Sequence, residues 1–262
     1  MVDNDDMLKY LIGVSLIPGI GHMNAKKLIA WVEDPAVLFT QPLSELARIP
    51  GFSKLISSKD FNRKKILERA EMEVAFVRNS HIDPLYYYGE DYPERLKQCS
   101  DSPLMLYYKG VEGLWNKRSL AVVGTRKATS YGKRLCEEIV SAFSNETMVI
   151  YSGMAYGIDS CAHRAALSAG LPTIGVVGHG LDRIYPHENR NMARRMVEQG
   201  GLLTEFLSGS KPDRENFPKR NRIIAGLSDA VLVVESATKG GAVITAEIAN
   251  SYNRDIFAVP GR

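Results

Sequence analysis

Residues 120–127 read LAVVGTRK, and the fold of the chain can be predicted from this pattern. Four apolar residues give way within one turn to a glycine, a hydroxyl and two cations. A short apolar run that ends in turn residues is typical of a strand covered on both faces of a sheet. The stretch therefore predicts a buried strand that delivers polar groups at its carboxyl end.

The same alternation of apolar runs and helical stretches continues towards the C terminus. It predicts strands at residues 148–151, 173–177, 202–204, 230–234 and 256–259, and helices at residues 132–143, 158–169, 190–199 and 242–251. Strands that alternate with helices indicate parallel pairing through crossover helices. The predicted class is α/β: a Rossmann-like domain with a mostly parallel sheet, its strands covered on both faces.

The N-terminal part has a different pattern, that of a small all-helical domain. Residues 16–21 (LIPGIG) resemble the turn of a helix-hairpin-helix motif, in a helix-hairpin-helix/SAM-like arrangement, and residues 46–52 (LARIPGF) form a second copy. In the second copy Ser53 replaces the expected glycine, and no clean amphipathic helix follows. A side chain there crowds the approach to a phosphate. DNA binding and simple packing both remain open for this domain.

The sequence divides into three predicted parts. Residues 1–62 form the helical domain, residues 63–118 a connecting helix and an N-terminal extension, and residues 119–262 the Rossmann-like core. The connecting helix is expected near residues 61–77, followed by two tyrosine-rich runs at residues 84–89 and 103–110. We interpret these tyrosines as strand residues with one buried face, rather than as a surface for stacking bases.

Composition limits the class of protein. The chain has 262 residues and a net charge of +3, which permits nucleic-acid binding without requiring it. Its three cysteines form no CxxC pair, so we expect neither a disulfide framework nor a structural zinc site. No signal-peptide pattern and no apolar run of about 20 residues is present. These features predict a cytoplasmic protein with no membrane segment.

Small and polar residues follow each predicted strand of the core. Ligands of doubly wound sheets bind at the carboxyl ends of the strands, where glycines expose amides and helix dipoles attract anions. The convergence of several such loops predicts a phosphate-binding edge. Its predicted members in these loops are Gly124, Thr125, Arg126, Ser152, Gly153, Gly240 and Gly241.

Residues 217–226 (FPKRNRIIAG) place a basic segment directly before the strand at residues 230–234. Alone, such a segment would be interpreted as a solvated basic turn. Beside a phosphate-binding edge it indicates a helix start that presents cations and amides to an anion. The residues predicted to contact the anion are Phe217, Lys219, Arg220, Asn221 and Arg222.

The chain carries no recognisable catalytic set. Neither G-x-G-x-x-G nor G-x-x-x-x-G-K-[ST] occurs, which disfavours a dinucleotide-dependent oxidoreductase and an NTPase. His163 lies in a predicted helix and is interpreted as a packed residue. Asp159 follows a tight turn and is expected to cap or orient that helix. No cluster has the spacing of metal ligands.

An ordered series of motifs closely resembles the DNA-processing protein A family, also called DprA or Smf. The motifs are VGTR (123–126), SGMAYGID (152–159), YP (185–186), FPKRNRIIAG (217–226), GG (240–241) with TAE (245–247), and AVPG (258–261). The likeness extends from about residue 86 to the end of the chain.

The resemblance implies a single-stranded-DNA-binding protein of bacterial natural transformation. Such proteins protect incoming DNA and load the RecA recombinase onto it, displacing or bypassing single-strand-binding protein. They act as homodimers through the Rossmann-like domain, without a cofactor or an established catalytic residue. Because family members usually continue past the VPG motif, this chain is expected to be truncated at its C terminus.

The mechanism expected from these residues is a groove lined by Arg126, Lys219, Arg220 and Arg222 that tracks the sugar-phosphate backbone. Phe217 or a tyrosine would stack on a base, and little sequence preference is expected. One alternative is an enzyme, because GGAVITAE (240–247) is similar to the signature of cytokinin-activating phosphoribohydrolases. In that case Glu247 would act on nucleoside monophosphates. A second alternative is a protein-interaction scaffold.

Overall fold

A computed structural model describes residues 4–53 and 60–261. The chain divides into two compact units, the first made of Met1–Tyr92 and Ser100–Leu106, the second of Pro93–Cys99 and Tyr107–Arg262. The residues between 63 and 118, predicted as one connecting part, are thus shared between both units. The predicted boundaries at residues 62 and 118 stay predictions.

The first unit is mainly helical, as its sequence predicts. Its elements are α1 (Asp5–Ser15), α2 (His22–Val32), α3 (Val37–Thr40), α4 (Leu43–Leu46), α5 (Arg63–Asn79) and β1 (Asp83–Tyr86). Leu8, Leu11 and Ile12 are buried on one face of α1, as their helical spacing requires. Gly19, in the turn before α2, has a φ of 77°, which glycine adopts without strain. The expectation about the segment after Ser53 falls outside the described residues.

The second unit carries the predicted alternation of strands and helices. Its elements are α6 (Glu94–Lys97), the strands β3 (Arg118–Val123), β4 (Met148–Ser152), β5 (Thr173–Val176), β6 (Gly201–Thr204), β7 (Ala230–Val233) and β8 (Asp255–Ala258), and the helices α7 (Ser130–Ser141), α8 (Ile158–Ser168), α9 (Arg190–Gln199), α10 (Asn216–Leu227) and α11 (Gly241–Ser251). Strand β2 (Met105–Gly110) begins in the first unit and ends in the second. Each predicted core element is present within a few residues of its expected bounds.

The sheet has the topology of a doubly wound fold. Its strand order is β1-β2-β6-β5-β4-β3-β7-β8. Strand β2 pairs antiparallel with β6, and the pairs from β6 to β8 are parallel. The chain leaves β3 towards β4 on one side and returns to β7 on the other, so strand order reverses between β3 and β7. Such a reversal opens a crevice at the carboxyl ends of the strands. The predicted fold class is confirmed.

Two apolar clusters lie against the central strands. One includes Leu120, Val122 and Ile150 from the sheet with Ile158 from α8, and the other joins Met192 and Met196 of α9 to β6. Strands β5 and β6 are buried along their whole length. The expectation of cover on both faces is wrong for β8, whose four residues are all exposed. Strand β8 lies at the sheet edge, where a strand has only one paired neighbour.

Within the described ranges, no helix has the length and apolar character needed to cross a membrane.

Candidate nucleic-acid interface

A cleft of about 360 Å³ opens at the carboxyl ends of β3 and β7, where the strand order reverses. Its walls come from the loop after β3, from the first half of α10 and from the segment that leads into α11. It brings together eight of the twelve residues predicted to bind phosphate or DNA. These are Gly124, Thr125, Arg126, Phe217, Arg220, Asn221, Gly240 and Gly241.

The loop after β3 is clamped in place by backbone hydrogen bonds. The amide of Thr125 donates to the carbonyl of Glu235 at 2.7 Å, and the amide of Ile158 donates to the carbonyl of Thr125 at 3.2 Å. A Cβ at Gly124 would collide with the side chain of Ile158. Gly124 therefore allows the loop to pack on α8, and this packing sets the position of Arg126.

The N terminus of α7 is already occupied by the protein's own groups. Thr129 caps this helix by accepting from the amide of Gly132 at 3.1 Å. The carboxylate of Glu235 accepts from the amide and the hydroxyl of Thr129, at 3.0 and 3.2 Å. A carboxylate at a helix N terminus satisfies the dipole that would otherwise attract a phosphate. This helix end is therefore not open to a phosphate, and the anion site predicted after β3 stays a prediction for the loop alone.

The N terminus of α11 is free of such a cap. Its N-cap residue is Gly240, which has no side chain to accept from the first turn. Gly241 and Ala242 both line the cleft, and a Cβ built at Gly241 has no atom within 4 Å. An uncapped helix start with open space before it suits a phosphate oxygen. The amide side chain of Asn221 reaches the carbonyl of Gly241 at 3.4 Å and connects α10 to this start.

The cations of the basic segment point in different directions. Helix α10 runs through the whole segment, and successive side chains of a helix are rotated by about 100°. Lys219 is exposed at its surface, Arg220 is buried, and Arg222 forms an ion pair with Glu205. Only Arg220 of these three lines the cleft. Lys219 and Arg222 therefore do not line one groove together with Arg220, as was expected.

Arg220 lies beneath the cleft, with 4% of its surface exposed. One of its terminal nitrogens donates to the carbonyl of Val176 at 2.7 Å. Burial lowers the pKa of Arg220 to about 10, and the nearby Asp159 carboxylate acts in the opposite sense. A Cβ at Gly153 would collide with the guanidinium, so this glycine makes room for the buried charge. Arg220 adds positive potential from below.

His163 is packed as predicted, whereas Asp159, predicted to cap or orient α8, lies in the first turn of that helix, makes no cap and lines the cleft. The Asp159 carboxylate accepts from the amide of Ala155 at 3.2 Å and thereby orients the loop before α8. Burial raises the pKa of Asp159, which the neighbouring Arg220 opposes. His163 is fully buried, and its Nδ1 lies 2.7 Å from the hydroxyl of Thr173. Burial lowers the pKa of His163 to about 3.

Phe217 contacts both arginines of the cleft. The guanidinium carbon of Arg126 lies 5.0 Å from the centroid of the ring, and that of Arg220 lies 6.0 Å from it. Arg126 is exposed. This arrangement holds an exposed cation at the rim of the cleft.

The remaining predicted residues lie outside the cleft. Ser152 is fully buried, and its hydroxyl donates to the carbonyl of Val122 at 2.6 Å, so it joins two strands. Gly153 lines a smaller hollow next to the cleft. Glu247, the carboxylate of the enzyme alternative, is exposed on α11 and does not line the cleft.

The structure adds lining residues that the sequence did not single out. Ala155, Ser236 and Ala237 line the cleft, and Tyr156 and Tyr185 line the adjacent hollow. All of them follow strand ends, so position relative to the predicted strands was the available signal. The small residues carry no chemical pattern of their own, and the two tyrosines lie in motifs that were used only for the family resemblance.

Residues 84–262 match the sequence model of the family described as DNA recombination-mediator protein A. The chain belongs to this family. The resemblance to the DNA-processing protein A family is thereby confirmed. The matched residues include all the segments that form the walls of the cleft.

Several relatives share this family's sequence pattern. The chain is 36% identical to protein Smf of Synechocystis over 257 residues, which cover 96% of this chain and 64% of that protein. It is 35% identical to the DNA processing protein DprA of Bacillus subtilis over 232 residues, 88% of this chain and 77% of that protein. The chain thus spans just under two thirds of the Synechocystis relative.

Solved structures of the family share the fold. The DNA processing protein A of Streptococcus pneumoniae matches with a TM-score of 0.77 and 30% identity, over 97% of this chain and 87% of that one. The DNA processing protein A of Helicobacter pylori, whose structure is named for its single-stranded DNA binding mode, matches with a TM-score of 0.64 and 30% identity. This match covers 69% of this chain and 81% of that one.

Proposed function

We propose that this chain binds single-stranded DNA through the cleft at the carboxyl ends of β3 and β7. The observation that carries the proposal is the pairing of an exposed cation, Arg126, with an uncapped helix start at Gly240 and Gly241. These groups line one cleft. Membership of the family and the single-stranded DNA named for the Helicobacter pylori relative support the same ligand.

Each group has a distinct part in holding the strand. Arg126 pairs with a phosphate at the rim, the first amides of α11 donate hydrogen bonds to a second phosphate, and Arg220 adds positive potential from beneath. Lys219, exposed on α10, meets the strand as it leaves the cleft. Arg222 is bound to Glu205 and takes no direct part. Since none of these groups addresses a base edge, we expect little sequence preference.

A salt titration tests the proposal. A fluorescent dT oligonucleotide is titrated with the protein at several salt concentrations, and anisotropy reports binding. Single strands release about 0.7 counterions per neutralised phosphate, so three contacts predict a slope near −2 in log K against log[salt]. Arg126→Ala should weaken binding and reduce the slope by about 0.7.

An arginine outside the cleft provides the matched control. Arg195 is exposed on α9 and does not line the cleft, so Arg195→Ala removes the same charge and should leave the slope unchanged. Matched duplex DNA runs in parallel and should bind more weakly. If wild-type protein shows no salt-sensitive binding of single strands, the proposal is wrong.

We infer further functions from the family resemblance. The protein protects incoming DNA in the cytoplasm and loads RecA recombinase onto it as a homodimer, in the presence of single-strand-binding protein. Sedimentation tests the dimer directly. The loading role predicts faster RecA filament growth on strands coated with single-strand-binding protein, and the Arg126→Ala protein should lose this effect.

We propose that the chain acts by binding and not by catalysis. Glu247 lies outside the cleft, and this position argues against a role for its carboxylate in a nucleotide-cleaving site. Incubation with AMP and chromatography of the products tests this point. Release of adenine that disappears in Glu247→Gln protein would support the enzyme instead.

A further inference from the structure

The smaller hollow adjoins the cleft, and three residues separate the two spaces. Arg126, Ala155 and Phe217 line both spaces and form the wall between them. The hollow has a different chemistry from the cleft, since its rim carries the aromatic rings of Tyr156 and Tyr185. Phosphate binding in the cleft gives these two tyrosines no role.

Both tyrosines are unusually accessible for aromatic residues beside a folded sheet. Tyr156 and Tyr185 each expose 46% of their surface. The hydroxyl of Tyr156 donates to the carboxylate of Glu188 at 2.7 Å, so one end of the ring is tethered while much of the side chain stays open. A tethered, exposed ring loses little conformational entropy when a flat ligand stacks on it.

The exposed rings lie next to the cations of the cleft. Arg126 lines both spaces, and the hydroxyl of Tyr156 is held by the carboxylate of Glu188. A strand whose phosphate pairs with Arg126 therefore brings its uncharged, flat bases within reach of the two rings.

We propose that unpaired bases of the strand whose phosphates occupy the cleft stack on the exposed rings of Tyr156 and Tyr185 at the rim of the hollow, whose own volume of about 20 Å³ is too small to enclose a base. This inference rests on the proposed function and adds a separate base site to it. Bases of a duplex are stacked on each other and offer no free face. The tyrosine pair therefore gives the protein its preference for single strands, without preference for a particular base.

The experiment compares two labelled strands of equal length and charge, oligo-dT and an abasic oligomer that keeps every phosphate. Wild-type protein should bind dT at least about 10-fold more tightly than the abasic strand. Stacking contributes about 1–3 kcal/mol per base, so Tyr156→Leu and Tyr185→Leu should each weaken dT binding by about 5- to 150-fold. Affinity for the abasic strand and the salt slope should stay as in the wild type.

Tyr88 supplies a matched control. It exposes 45% of its surface, its hydroxyl also makes a hydrogen bond, and it does not line the hollow. Tyr88→Leu should therefore leave the ratio of dT to abasic affinity unchanged. Tyr156→Trp should keep this ratio and show fluorescence quenching by dT but not by the abasic strand, since only a base can stack on the indole.

The outcomes separate the two proposals. Equal affinity of wild type for both strands, with a normal salt slope, overturns the base site and leaves the phosphate cleft in place. The base site is also overturned if both leucine variants, shown by circular dichroism to be folded, bind dT like wild type. If wild type binds neither strand, the phosphate cleft and the base site are both wrong.

Discussion

The guanidinium of Arg126 lies over the ring of Phe217, 5.0 Å from its centroid. The same ring lies 6.0 Å from the buried guanidinium of Arg220. One aromatic side chain thus contacts both the exposed and the buried arginine of the cleft. The contact orients Arg126 without neutralising it, which leaves the charge available to a phosphate.

Replacing Phe217 by leucine should weaken single-strand binding without changing its salt dependence. A cation–π contact at an exposed site contributes about 0.5–1 kcal/mol, so we expect about a 2- to 5-fold loss of affinity for dT. The salt slope stays because the Arg126 charge stays. Anisotropy titrations at several salt concentrations measure both quantities. A slope as shallow as that of the Arg126→Ala protein would mean that Arg126 loses its phosphate contact altogether without the ring. Wild-type affinity of the Phe217→Leu protein would show that the ring does not act by positioning the arginine.

Gly241→Ala should weaken binding of single strands without destabilising the fold. A methyl group at Gly241 meets no protein atom within 4 Å and would enter the space in front of the helix start. Urea unfolding should show unchanged or slightly raised stability, by up to about 1 kcal/mol, because alanine restricts the unfolded chain. Affinity for dT should nevertheless fall. Unchanged affinity would mean that no phosphate approaches this helix start.

Gly153→Ala should lower the free energy of unfolding, which Gly241→Ala should not. The added Cβ would collide with the guanidinium of Arg220, which is buried and cannot move aside into solvent. Overpacking of this kind costs about 1–3 kcal/mol. Urea denaturation should therefore show a clear loss of stability, in contrast to the Gly241→Ala protein. Wild-type stability would contradict the close packing of this site.

Thr129→Ala should destabilise the start of α7. The hydroxyl oxygen of Thr129 accepts from the amide of Gly132, and loss of such a cap costs about 1 kcal/mol. Thr129→Ser keeps the oxygen and should unfold at nearly the wild-type urea concentration. Equal stability of the alanine and serine proteins would show that the cap contributes nothing.

His163 should make folding stability sensitive to mild acid. Its pKa is lowered to about 3 by burial, whereas the unfolded chain titrates near 6.5. Between these values the unfolded state binds the proton and the folded state does not, so stability falls as pH decreases below about 6.5. From pH 7 to pH 5 one such group lowers the free energy of unfolding by about 2 kcal/mol.

The His163→Asn protein isolates this contribution. Its free energy of unfolding is compared with that of wild type by urea denaturation at pH 7 and pH 5. The advantage of wild type over the variant should shrink by about 2 kcal/mol at the lower pH. Parallel pH profiles would show that His163 takes up a proton in the folded state as readily as in the unfolded one.

The order of strands and helices could be predicted from the sequence because it depends on local periodicity. The apolar run at residues 120–123 and its counterparts become β3 to β8, and the helices between them follow closely. The same local reasoning placed Gly124, Arg126 and Gly240 at strand ends, where the cleft forms. The position of β8 at an exposed edge depends on strand order, which local periodicity does not contain.

Local patterns in the chain are enough to predict the fold class, the family and the group of loops that meet at one edge of the sheet. Which side chains line the cleft depends on tertiary packing. Rotation along α10 turns Arg220 inward, and Glu205, which follows β6 and precedes Arg222 by 17 residues, forms an ion pair with Arg222. Likewise, the carboxylate of Glu235 fills the N terminus of α7 from another strand end and leaves that of α11 open. Side-chain direction and long-range partners arise from packing, so they are absent from any pattern of neighbouring residues.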